Sequence, residues 1–201
     1  LFYPFNKSLK KRTGLDTKML YAESMKRLKS NWKKQLNNKN LTHGSLVNSL
    51  DKKEVTNFTN PITISTGDVI TFRSSYDQNA SLVSIDPKSN EIKLTEHGIL
   101  FGAPFSTLSS TGNLLCWAEL GFDPRWRYRQ YSEIMTFDLS TRLKKRVTSK
   151  TRYFSPDLSP NAKRIVVVNI DRFLNQSLRI ISTDTGTLLK DIPNDENHIL
   201  S

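Results

Sequence analysis

A recurring strand-and-turn unit constrains this chain more than any other feature of its sequence. The clearest copy is Ser155-Pro156-Asp157-Leu158-Ser159-Pro160-Asn161-Ala162-Lys163-Arg164-Ile165-Val166-Val167-Val168. A short strand runs into a tight Pro/Asn turn, and a run of apolar, mostly β-branched residues then supplies a second strand. Weaker copies run from Asn60-Pro61 to Phe72 and from Ala103-Pro104 to Trp117. Pro61, Pro104 and Pro156 stand 43 and 52 positions apart.

A strand-only period of about 40–50 residues is the spacing of a β-propeller blade. One blade cannot bury both of its faces, so such units are expected to stack. The fold class read from the sequence is mainly β, a partial β-propeller of three four-stranded blades preceded by a short helical segment. The first repeat offers strands at 62–64, 69–74, 80–85 and 91–94. The second offers 105–108, 114–119, 133–139 and 144–148, and the third 153–158, 164–170, 177–182 and 187–191. Gly67-Asp68, Asp86-Pro87 and Asp184-Thr185-Gly186 supply turns between them. Closure of a propeller needs about four to eight blades. Further blades are therefore expected beyond these three, the next one beginning at 196–201. A two-sheet sandwich built from the same short strands is the alternative architecture.

Before residue 55 the pattern is helical. Met19, Ala22, Met25, Leu28, Trp32 and Leu36 recur at steps of three or four. They predict a helix over 16–36, capped by Asp16 or Thr17. Gly14 allows a turn after a shorter helix over 6–13. Residues 41–54 are polar and read as a linker. The expected organisation is a helical segment at 1–40, the linker, and blades at 55–98, 99–150 and 151–195. The chain begins at Leu1 rather than Met and reads as part of a longer protein.

The formal charge of +11 is uneven. Residues 1–40 carry +9, which leaves about +2 for the rest. A basic helix can meet nucleic acid, an anionic membrane or an acidic neighbour, and otherwise forms a solvated face. Cys116 is the single cysteine, so no internal disulfide forms. Its place in the run Leu114-Leu115-Cys116-Trp117 marks it as a small core residue. His43, His97 and His198 lack metal-ligand spacing. No Ser/His/Asp triad or Gly-rich phosphate loop is present. No catalytic residue, cofactor or metal is assigned to these residues.

One segment lengthens the second repeat. In it Arg125, Trp126, Arg127, Tyr128, Arg129 and Tyr131 interleave arginines with aromatics. Those residue types are enriched in interface hot spots and also stack on bases. The segment is the candidate binding loop, on one rim of the propeller. Its plainer reading is a long loop whose aromatics pack on a neighbouring blade.

The stretch from Thr151 to Ile165 resembles the repeat of TolB-like propellers, Ser-Pro-x-x-Ser-Pro-Asp-Gly-Lys-x-Ile. Asn161-Ala162 stands where that family has Asp-Gly, with Asn161 expected to take the left-handed turn conformation. The resemblance covers about residues 55–201. It implies an interaction scaffold of the periplasm or cell envelope, with a protein or peptide partner. Residues 3–21, followed by Leu28 and Trp32, resemble the closing helices of gluzincin-type zinc peptidase domains. That resemblance implies the alternative: the tail and accessory propeller of a peptidase, with its zinc site upstream of Leu1. Nucleic-acid binding ranks last, because most of the charge lies on the helix.

Overall fold

The computed structural model describes residues 3–37, 39–40, 42, 44–48, 55–101, 107–126 and 128–194. The chain divides into two compact units, Leu1–Ser45 and Leu46–Ser201. The first holds α1 (Tyr3–Thr13) and α2 (Thr17–Asn37). The shorter helix therefore starts three residues before its expected Asn6. Gly14 sits at φ +76° and its N–H closes on the Lys10 carbonyl at 2.8 Å, ending α1. The Asp16 carboxylate accepts the Met19 N–H at 2.9 Å and caps α2 as expected. None of the described α2 residues is buried. No described helix is long and apolar enough to cross a membrane.

The second unit is built from three separate sheets. The first contains β1 (Thr56–Thr63), β2 (Val69–Ser75), β3 (Ser81–Ile85) and β4 (Glu91–Glu96). The second contains β5 (Leu108–Thr111), β6 (Leu114–Phe122), β7 (Gln130–Asp138) and β8 (Lys144–Arg146). The third contains β9 (Tyr153–Leu158), β10 (Arg164–Ile170), β11 (Gln176–Ser182) and β12 (Leu188–Pro193). Each is an antiparallel meander in chain order.

Strand alternation then decides the stacking. On β6, Leu115 and Trp117 point to one face and join Ile70, Phe72 and Leu82 of the first sheet. Cys116 and Ala118 point to the other face and join Ile165, Val167 and Ile181 of the third. On β7, Met135 and Phe137 take the first side and Ile134 the second. The second sheet is thus buried on both faces, between its two neighbours. Three consecutive meanders stacked in this way are propeller blades in architecture, not the two layers of a sandwich. Cys116 is fully buried, and that burial pushes its thiol pKa up. It is an inert core residue.

The recurring prolines have a structural reason. Asn60 and Pro61 together oppose Thr71, and Ser155 and Pro156 together oppose Val167. Each pair is a β-bulge in the first strand of its sheet, entered through a residue at positive φ (Asn60 54°, Ser155 46°). A bulge removes the ladder bond that proline cannot donate. The third expected copy, Ala103-Pro104, lies outside the described residues, as does the segment 196–201.

Several expected boundaries move. β1 begins at Thr56 rather than Ile62, and β5 occupies 108–111 rather than 105–108. β6 and β7 are each nine residues long, so the insertion of the second repeat mostly extends a hairpin. The turn after β9 also differs from expectation. Ala162, not Asn161, takes the left-handed conformation (φ 56°). Asn161 instead accepts the Ser159 hydroxyl at 2.8 Å and the Lys163 N–H at 3.2 Å through its side chain.

Candidate functional site

The long β6–β7 hairpin carries the candidate loop to one end of the strands. Its pairing runs to Gly121↔Tyr131 and Phe122↔Gln130, which leaves 123–129 as the loop proper. Asp123 organises that loop. Its Oδ1 accepts the N–H groups of Arg125 at 2.9 Å and Trp126 at 3.1 Å. The Tyr131 hydroxyl donates to Oδ2 at 3.2 Å. The Asp123 N–H closes the loop on the Arg129 carbonyl at 3.1 Å. These donors, the Arg125 N–H foremost, hold the Asp123 carboxyl below the usual carboxylate range. The Arg125 guanidinium lies 5.4 Å from the Trp126 ring centre, and Arg129 lies 5.8 Å from that of Tyr131. Trp126 is 58% exposed and Tyr128 95% exposed.

The loop does not act alone. A cleft of about 480 Å³ opens beside it, between the second and third sheets. Tyr128, Arg129 and Tyr131 line it from the hairpin. Lys150 and Arg152 enter from the segment joining β8 to β9, and Arg172 from the β10–β11 turn. Phe101 and Phe154 complete the wall, edge to face with ring centres 5.0 Å apart. The described lining holds four cations and no carboxylate.

The joining segment is held firmly against β7. The Ser132 N–H donates to the Thr151 carbonyl at 2.8 Å, and the Thr151 hydroxyl donates to the Ser132 carbonyl at 2.7 Å. The Ser132 hydroxyl donates to the Tyr153 carbonyl. Arg152 therefore stands on a fixed backbone, bridged to Ser132 in parallel pairing.

Three of the six candidate residues, Tyr128, Arg129 and Tyr131, meet in the cleft. Arg125 and Trp126 sit on the loop outside its lining, and Arg127 lies outside the described residues. Sequence reasoning missed Lys150, Arg152, Arg172, Phe101 and Phe154. The near-neutral sum over residues 41–201 concealed the local excess of cations around 144–172. Thr151-Arg152-Tyr153-Phe154 was visible, but as the lead-in to a structural repeat.

Three of the aspartates spread across the repeats, Asp86, Asp138 and Asp171, are turn-formers. Asp86 accepts the N–H groups of Lys88 and Asn90, Asp138 those of Ser140 and Thr141, and Asp171 those of Phe173 and Asn175. Among the described residues no group of three His, Cys, Asp or Glu is placed to hold a metal ion. A larger cleft of about 610 Å³ lies at the opposite strand ends. Its Asp138 and Asn161 side chains already serve their own turns.

No protein-family model matches the chain, and no curated protein matches it. Solved structures do. The β-propeller domain of the Trilobed protease from Pyrococcus furiosus is 12% identical, with 69% of this chain covering 43% of that one at a TM-score of 0.48. The Pyrococcus horikoshii acylaminoacyl peptidase is 12% identical, with 70% of this chain covering 26% of that one at a TM-score of 0.49. A putative TolB from Agrobacterium tumefaciens is 13% identical, with 60% covering 40% at a TM-score of 0.44. The matched region spans less than half of each of these solved chains.

Proposed function

We propose that the three sheets are blades of a TolB-like propeller scaffold in a larger bacterial cell-envelope protein, and that the β6–β7 loop is where a protein or peptide partner docks. The observation that carries this reading is the state of the loop. Trp126 and Tyr128 are exposed, and the Trp126 backbone is held by the bond that Asp123 accepts from its N–H. Large aromatics on a fixed backbone lose little conformational entropy on binding, which is why they dominate interface energetics.

Photo-crosslinking tests it. A photoreactive residue at position 125 of the parent protein, in its own cells, should yield a discrete protein adduct. The same probe should lose that adduct in a Trp126→Ala/Tyr128→Ala background while the thermal unfolding midpoint stays unchanged. An adduct indifferent to both substitutions overturns the reading.

A further inference from the structure

We propose that the cleft between the second and third sheets binds the carboxylates of an acidic peptide segment that also carries an aromatic side chain. The inference rests on the reading of this rim as a partner-binding face and names the chemistry that the partner presents there.

Arg129, Lys150, Arg152 and Arg172 reach the cleft from three separate elements. Gathering like charge in one concavity is unfavourable until an anion enters, and low-dielectric walls focus that field. The neighbouring carboxylates are already engaged. Asp123 serves its own loop and Tyr131. Asp171, the charge beside Arg152, accepts from Phe173 and Asn175. Glu133 pairs with Arg146 at 3.2 Å and accepts the Lys150 N–H at 3.1 Å. None of these three carboxylates lines the cleft, and the charges of Asp123 and Asp171 offset part of those of Arg129 and Arg152.

The aromatic content sets the second requirement. Tyr128, almost wholly exposed, and the Phe101–Phe154 pair offer ring faces and edges to a planar group beside the charges. The guanidinium forks favour bidentate carboxylate recognition.

Shape favours a peptide over a nucleic-acid strand. The volume, about 480 Å³, falls in the range of compact ligand sites. A nucleic-acid backbone needs cations continuing along a groove. On the strands, Arg73 pairs with Glu91, Lys144 with Glu119, Arg146 with Glu133 and Arg179 with Asp191. The described lining of the cleft, by contrast, holds cations and no carboxylate.

The test uses the whole chain, titrated calorimetrically with the peptide Glu-Glu-Tyr-Glu-Glu, its counterpart Gln-Gln-Tyr-Gln-Gln, and an oligouridine strand. The acidic peptide should bind saturably, with its affinity falling as salt rises. The Gln counterpart should bind at least about tenfold more weakly, and so should the acidic peptide to Arg172→Gln or to Arg152→Gln/Arg172→Gln. Arg172 lies in an exposed turn, so its single variant separates lost binding from lost folding. Lys163→Gln, in the exposed β9–β10 turn at the opposite strand ends, should leave peptide affinity within about twofold. Absence of acidic-peptide binding overturns the proposal, as does equal affinity for the Gln peptide. Oligouridine binding more tightly than the peptide, with the same arginine dependence, overturns it in favour of nucleic acid. Crosslinking at the loop without peptide binding in the cleft would retain the docking face and eliminate its acidic ligand.

Discussion

Ala162 holds a backbone conformation that a side chain resists. At φ 56° its Cβ crowds the following carbonyl, at a cost of about 1–2 kcal/mol. The turn nevertheless forms, because Asn161 and Ser159 tie both of its ends. Ala162→Gly relieves the crowding and raises unfolded-state entropy by less than that amount. The variant should gain about 0.5–1 kcal/mol, read as a higher urea midpoint at unchanged slope. An unchanged or lower midpoint would refute the strain assignment. The sequence pattern placed the turn correctly but put the left-handed residue one position early. A repeat alignment marks where the special conformation falls, while hydrogen bonding decides what Asn161 does with its side chain.

Among the elements, β8 joins two sheets through one lysine. Lys144 Nζ donates to the Glu96 carbonyl of β4 at 3.0 Å and to Glu119 Oε1 of β6 at 2.7 Å. The same Glu119 oxygen accepts the indole N–H of Trp117 at 2.8 Å. Trp117 is fully buried, so Glu119→Ala leaves a buried donor without an acceptor. The expected loss is about 2 kcal/mol, measured by chemical denaturation. Glu119→Gln retains an acceptor and should lose clearly less. Equal losses in the two variants would mean that packing, not the hydrogen bond, carries the effect. Neither the strand pattern nor the charge count shows this clasp. Its four members, Glu96, Trp117, Glu119 and Lys144, span 48 positions, and the bond to Glu96 forms only once two sheets are stacked. The order of the strands is different in kind, because period-two alternation and turn residues specify it locally.

For the whole molecule, stability should be graded by how many faces each element buries. β6 and β7 sit in the sheet covered on both sides, whereas the described residues of α2 bury none. Hydrogen exchange should therefore be slowest for the amides of 115–118 and 134–137. It should be faster in β12, whose side chains are mostly exposed, and faster still in α2. Protection in α2 equal to that in β6 would contradict this gradient. The sequence by itself determined the three four-strand repeats, the helix pair, the buried cysteine and the exposed aromatic loop. Each of these follows from alternation, capping and turn chemistry within a few residues. Only the tertiary structure decided that the second sheet is enclosed, that the prolines mark bulges, and that a cationic cleft exists at all. Arg129, Lys150, Arg152 and Arg172 belong to three connections, and no local pattern records that these converge. Their convergence is a consequence of stacking the sheets, because stacking brings the connections at one end of the strands together.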